Sequence, residues 1–532
     1  MRLSNFSTFL LIARFVSSAE CRKSRDVSLS PRRAIAAPIV VAAAQNWDGI
    51  DGSWSTFAFQ VGTPTQNVRL FISTALHQTS VVVPQGCVRS DPADCANLRG
   101  GEFRKNQSTS YVKNVANLTT NIYPVDLGAN TDLGYTARAE YGFDDITIGW
   151  QGAGGPGLKN QTIAGIAAKD SYLGLFGLVP RASNFTTFNN PIPSTMQDLR
   201  SQSKIPGLSW AYTAGNQYRL AEVLGSLTLG GYDRSKFVAH DITWAFNSQD
   251  LRDLTVQINS ITSSSTAGET SLLPISTAAF LDSGTPYIWL PTESCALFEK
   301  AFNLTWDNTT KIYPISDSQH TTLLAQSPNI TFTLGNLTAG FSINITLPYA
   351  AFDLTAQFPL VANTTKYFPL KRANGSQVTL GRTFFQEAYV IADYDRRNFS
   401  VSQCKWTANA AQDIVPILSP ELAAISNSNS TTSTGDSSTT GSKKAPIGAM
   451  VGGVIGGLVA LGAAAYLIFH SCVKPHRRAA KAAAAAALAT STEKANPPEQ
   501  LPTGEEFPFI KPELDSTQSP DPISEMEPHV RK

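Results

Sequence analysis

Phe280-Leu281-Asp282-Ser283-Gly284-Thr285-Pro286-Tyr287-Ile288-Trp289 is an apolar run, a polar turn and a second apolar run. Asp, Ser and Gly are residues that turns select, and the flanks have strand length, so the layout predicts two buried strands joined by a tight turn. About 210 residues upstream the layout recurs. Arg69 to Ile72 leads in, Val81 to Pro84 leads out, and the centre reads Ser73-Thr74-Ala75-Leu76. The downstream turn carries a carboxyl group; the upstream turn carries a hydroxyl in its place. One Asp-Ser-Gly-Thr alone is more often a plain turn than a site.

Further segments follow in a consistent order. Phe59-Gln60-Val61-Gly62-Thr63-Pro64 reads as a hairpin before the first turn. Leu173-Gly174-Leu175-Phe176-Gly177 and Val378-Thr379-Leu380-Gly381 read as short apolar strands, one after each turn. Gly225 to Asp233 reads as a strand opening a region between the halves, and Tyr389 to Asp395 as a closing strand. Together these segments, over about residues 53 to 406, resemble the pepsin-like aspartic peptidases, of the membrane-anchored sort found in fungi. The resemblance implies an all-β, bilobal fold with one turn at the base of each lobe. The strand-like alternation of Val, Ile, Leu, Phe, Thr and Tyr between turn residues agrees with it.

In that family both turns read Asp-Thr/Ser-Gly, and the two carboxyls share one proton because like charges in contact cannot both ionise cheaply. The ionised carboxyl takes a proton from water while the protonated one polarises the substrate carbonyl. Here the resemblance assigns Asp282 as the surviving member and Ser73 as the position of the lost one. A serine hydroxyl can donate a hydrogen bond but cannot hold the shared proton at working pH. Two neighbours also depart from the pattern, with Ala75 for glycine and Leu76 for a hydroxyl residue. Thr74, Ser283, Gly284 and Thr285 are retained, and residues at those places brace the turns against each other in the family. The flap tyrosine has Leu127-Gly128 as its expected counterpart, with Tyr135 and Tyr141 further along the hairpin. The resemblance also implies a disulfide between Cys87 and Cys95, and leaves Cys295 with Cys404 as the expected second-lobe pair.

The whole chain has 532 residues, 16% of them charged, a net charge of +1 and six cysteines. That balance, with no basic stripe and no phosphate-cradling glycine loop, argues against nucleic acid as a partner. No Cys-x-x-Cys or paired histidine predicts a metal, and no cofactor is expected.

The ends predict a surface protein. Residues 1–19 read as a signal peptide, with Arg2, an apolar run and a small-residue cleavage site. Residues 20–45 read as a short basic segment, either a remnant prosegment or a linker. The lobes are expected over 46–410, divided near 235. Residues 411–446 include a Ser/Thr-rich stretch that cannot bury enough surface to fold and read as a stalk. Ile447 to Phe469 offers 23 uncharged residues, enough for one bilayer crossing. Lys474, Arg477, Arg478 and Lys481 follow it, placing the tail 470–532 in the cytosol, where it reads as disordered with a partner no motif names. Cys472 at the inner boundary is a palmitoylation candidate.

Thirteen Asn-x-Ser/Thr sites lie between Asn106 and Asn429, at Asn106, Asn117, Asn160, Asn184, Asn303, Asn308, Asn329, Asn336, Asn344, Asn363, Asn374, Asn398 and Asn429. They suit a glycosylated lumenal face. The expectation is a single-pass membrane glycoprotein of the secretory pathway or cell surface. Its groove would hold a peptide or glycan without cleaving it. The rival readings are an aspartic-type endopeptidase working at acidic pH and a sensor that signals through its tail.

Overall fold

The computed structural model describes residues 35–431, apart from 115–120, 126–132, 136, 186–190, 249–251, 267 and 336–339. The signal peptide, the membrane span, the tail, Cys472 and the flap pair Leu127-Gly128 therefore lie outside the described residues. No helix among the described residues is long and apolar enough to cross a membrane.

Strands dominate, and the same arrangement appears twice. In the first half, Gln66–Ser73 pairs in parallel with Gly174–Gly177, which lies antiparallel to Thr79–Val82. That strand in turn pairs in parallel with Gly157–Ile166. In the second half, Thr277–Leu281 pairs in parallel with Thr379–Leu380, which lies antiparallel to Ile288–Pro291. That strand pairs in parallel with Leu370–Ala373. Each lead-in strand thus runs into its turn and is held by a short strand threaded between it and the lead-out strand. The threading needs glycine. A Cβ at Gly177 would meet the Leu76 carbonyl oxygen at 2.6 Å, and one at Gly381 would meet the Tyr287 oxygen at 2.2 Å. These clashes are with backbone, so no side-chain shift relieves them.

A six-stranded sheet joins the halves, in the order Ile39–Val41, Val223–Leu229, Ser209–Asn216, Ala388–Asp393, Asn398–Gln403, Trp244–Ala245. Ser209–Asn216 and Ala388–Asp393 pair across the two halves, with Trp210 opposite Ala392. Core packing is aromatic on both sides. Phe59 stacks on Phe176 at 4.6 Å between centroids, and Phe352 on Phe368 at 4.8 Å. Each of these rings is at most 1% exposed, and full burial of such a side chain stabilises by about 1.5–3 kcal/mol.

The lobed body extends beyond 46–410 at both ends. Ile39–Val41 is an apolar triplet that pairs with Leu227 to Leu229, and Ala43–Asp48 pairs with Trp54–Val61. The basic segment of 20–45 therefore ends in two strands of the fold. Past 410, Ile414–Pro416 pairs with Gly231–Asp233. The Ile417 N–H then donates to Gly230 O and the Ser419 N–H to Pro206 O. A helix, Pro420–Thr431, follows where the stalk was expected to begin.

Cys87 and Cys95 form a disulfide. Cys295 and Cys404 do not; both are free and buried. Cys295 sits on the helix Thr292–Phe302 inside the second-lobe core, its thiol facing the carbonyls of Leu290 and Lys371 at 3.5 Å each. Cys404 packs with Ala211 and Tyr389 on the joining sheet, its sulfur 3.3 Å from Thr213 Oγ1. Sharing the second half of the sequence did not bring the two thiols into one core.

Candidate functional site

The two turns meet through a reciprocal set of hydrogen bonds. The Thr74 hydroxyl donates to Leu281 O at 2.9 Å, and the Ser283 hydroxyl donates to Ile72 O at 2.7 Å. In return the Ser283 N–H donates to Thr74 Oγ1 and the Thr74 N–H to Ser283 Oγ, at 3.0 and 3.2 Å. All four bonds are buried. They tie the residue after Ser73 to the residue after Asp282. Exchange of Thr74 for Val, which keeps the shape, leaves the Leu281 carbonyl and the Ser283 N–H without these partners. A loss of about 2–4 kcal/mol is expected in urea unfolding.

Within each turn the leading side chain accepts from backbone. Asp282 Oδ1 accepts from the Gly284 N–H at 2.8 Å. Ser73 Oγ accepts from the N–H groups of Ala75 and Leu76, at 3.3 and 3.1 Å. The serine oxygen thus fills the same local role as one carboxylate oxygen. A carboxylate brings a second oxygen to the turn, and a serine does not. Both side chains are fully buried.

The fourth turn positions also correspond. Leu76 O accepts from the Val179 N–H, and Thr285 O accepts from the Arg382 N–H. Leu76 is buried in an apolar cluster with Trp54 and Phe71, whereas Thr285 Oγ1 shares a hydrogen bond of 3.3 Å with the Tyr135 hydroxyl. Tyr135 therefore reaches from the first lobe to the second turn. Burial, with Asp51 and Asp282 adding to it, holds its phenol well above the ordinary range. Tyr141 instead lies in the core, its hydroxyl donating to Gln78 Oε1 at 2.7 Å.

Two charged residues near the turns were not singled out from the sequence. Arg382 follows the threaded Gly381, a place held by Leu178 after Gly177. Its guanidinium donates to Ser283 O at 3.1 Å and Gly284 O at 3.2 Å, and lies 3.9 Å from the Phe71 ring centroid. Asp51 accepts from the Trp54 indole N–H at 2.8 Å. Burial holds its carboxyl above the usual range, against the opposing pull of Arg382. Neither belongs to a turn, so no local pattern marks them. Asp91, the first acid after the Ser73 turn, is tied to Lys169 within the reach of the disulfide loop. Among the described residues no cluster of His, Cys, Asp or Glu could hold a metal ion.

A cavity of about 690 Å³ opens beside the turns. Gly284, Tyr135, Asp51 and Arg382 reach it, together with Tyr287 and Lys371. One wall, from Lys169 to Leu173, is fixed from behind by Arg99, which is fully buried. The five N–H donors of a guanidinium match five carbonyls here. Nε donates to Tyr172 O, Nη1 to Gly86 O and Ala167 O, and Nη2 to Ala168 O and Ser171 O, at 2.7 to 3.2 Å.

Of the thirteen glycosylation sites, nine have exposed asparagines (106, 160, 184, 303, 308, 329, 344, 363 and 374), and Asn398 is partly buried. Asn117 and Asn336 lie outside the described residues, and Asn429 lies on the helix Pro420–Thr431.

The sequence matches the model of the Eukaryotic aspartyl protease family over residues 56–404. It is similar to aspartic proteinase yapsin-3 of Saccharomyces cerevisiae, 29% identical over 31% of this chain and 30% of that protein. It is 23% identical to candidapepsin of Candida tropicalis, over 52% of this chain and 63% of that one. With secreted aspartic protease 8 of Candida albicans it shares 23% identity, over 49% of this chain and 56% of that protein. The matched region thus spans between 30% and 63% of these relatives' lengths. An aspartic proteinase from Irpex lacteus aligns with a TM-score of 0.48 and 18% identity, covering 70% of this chain and 99% of that one.

Proposed function

The chain belongs to the eukaryotic aspartyl protease family, and we propose that it is a member that has given up peptide-bond hydrolysis and keeps its cavity as a binding groove. The observation that carries this reading is Ser73. Its single oxygen accepts from two backbone N–H groups of its own turn, so the turn keeps its shape without supplying a second acid to Asp282. The kept brace of Thr74 and Ser283 fits a scaffold retained for binding.

The protein acts, in this reading, at the cell surface or in the secretory pathway, anchored by residues 447–469 with the tail inside. Relatives named as a yapsin and a secreted protease support the secretory or surface placement, and the uncharged run 447–469 supports the anchor. The nine exposed acceptor asparagines support glycosylation. Peptide-N-glycosidase treatment of the native protein is expected to lower its mass by several glycans; an unchanged mass would remove this support.

The rival reading is an acid-working endopeptidase, and one observation favours it. Asp51 lines the cavity near Gly284 with a carboxyl that burial makes harder to ionise, a property suited to a proton donor. The test is cleavage of a denatured protein between about pH 3 and 6, the range in which such carboxyls titrate. Wild type, Asp282→Asn and Asp51→Asn are compared. The proposal expects no turnover that depends on Asp282. Turnover abolished by Asp282→Asn would overturn it, and abolition by Asp51→Asn as well would name the second acid.

A further inference from the structure

Lys371 lies on the strand Leu370–Ala373 at the second-lobe side of the cavity, 9% exposed. Its ammonium lies 4.4 Å from the Tyr287 ring centroid and 5.5 Å from that of Trp306, and donates to the carbonyl of Lys311. Among the described residues no carboxylate forms an ion pair with it. The neighbouring cations differ in this respect: Arg372 is paired with Glu299 and Lys169 with Asp91. Lys311, exposed and also lining the cavity, adds a second positive charge beside Lys371.

A buried ammonium without a counter-ion is costly. Burial and Lys311 lower the Lys371 pKa to about 8. Aromatic faces and one carbonyl offset part of that cost. An ammonium has three donors, and a carbonyl takes one. An anion entering the cavity would complete the set. The cavity is also bordered by Gly134 and Gly284, and a Cβ at Gly134 would meet nothing within 4 Å. Open main chain at Gly134 suits an extended peptide, whose own main chain needs partners, better than it suits a sugar ring.

We infer that the cavity takes the acidic side chain of an extended peptide, its carboxylate seated on the Lys371 ammonium between Tyr287 and Trp306. This rests on the proposed binding role of the groove and adds the chemical class of its ligand. Trp306 and Tyr287 would pack the side chain's methylene groups, while Lys311 raises the local positive potential.

The test uses the full-length protein in detergent and titration calorimetry with a blocked seven-residue alanine peptide carrying one central glutamate, against the same peptide with glutamine. The glutamate peptide is expected to bind about tenfold or more tightly, the scale of one hydrogen bond to a charged group. Lys371→Met should abolish that preference, bringing the two peptides to equal affinity. Lys311→Gln, at an exposed position, should reduce the preference by about threefold, and covers the case in which Lys371→Met does not fold. Equal binding of both peptides would overturn the inference and leave the binding role standing. Binding of neither would overturn both. A Lys371-dependent affinity for an oligogalacturonate but not for the glutamate peptide would overturn the inference in favour of an acidic glycan.

Discussion

Ser73→Asp combined with Ala75→Gly and Leu76→Ser is expected to give Asp282-dependent cleavage of a denatured protein at acidic pH, where the unaltered chain gives none. The reasoning follows the two turns. Asp282 Oδ1 accepts from the N–H two residues on, and Ser73 Oγ accepts from the N–H groups two and three residues on. An aspartate at 73 can make the same bonds with one oxygen and present the other to Asp282. Two carboxyls in contact share a proton, and an acid–base pair of that kind contributes roughly 10²–10⁴-fold in rate. Leu76→Ser restores a hydroxyl at the place where the second turn has Thr285. It also removes a buried side chain from the cluster with Trp54 and Phe71, at a cost of about 2–4 kcal/mol. The folded fraction of the variant is therefore measured beside its turnover. A folded variant without turnover would place the loss elsewhere. Arg382, whose counterpart is Leu178, is then the next residue to exchange.

The largest expected loss of stability belongs to Arg99→Lys. The guanidinium gives all five donors to five carbonyls, fixing the segment Ala167 to Tyr172, which leads into the cavity wall, to Gly86 beside the disulfide. A lysine keeps the charge but offers three donors from a single point and cannot span that ring of acceptors. Several carbonyls lose their partner, and the remaining charge is buried in a mould of the wrong shape. Urea unfolding is expected to show a loss of about 3–5 kcal/mol. A change under about 1 kcal/mol, within the range of an ordinary surface exchange, would show that the wall is held by something else.

The parts of the site that the residues announced in advance are those set by local pattern. Apolar run, turn and apolar run place Ser73 and Asp282 at turns between strands, and the bonds that Thr74 and Ser283 form between the turns are the ones the family resemblance implies. What local pattern does not carry is contact at long range. Arg382 lies 99 positions from the carbonyl of Ser283 that it caps. Tyr135 crosses 150 positions to Thr285. Asp51 sits in an unremarkable loop and gains its character from burial. The cysteines make the same point: the bridge closing eight residues was readable, while Cys295 and Cys404 went to different cores. The ends of the lobed body were misplaced because Ile39–Val41 and Ile414–Pro416 are triplets too short to show a period.

The closing triplet has a mechanical consequence. Tension arriving from the C-terminal side of residue 431 would reach the fold at Ile414–Pro416 and at the Ile417 and Ser419 amides, which are hooked to Gly230 and Pro206. These hooks border the sheet that joins the halves and stand apart from the turns of Ser73 and Asp282. A pull from that side would therefore load one three-residue zipper ahead of the turns that form the groove.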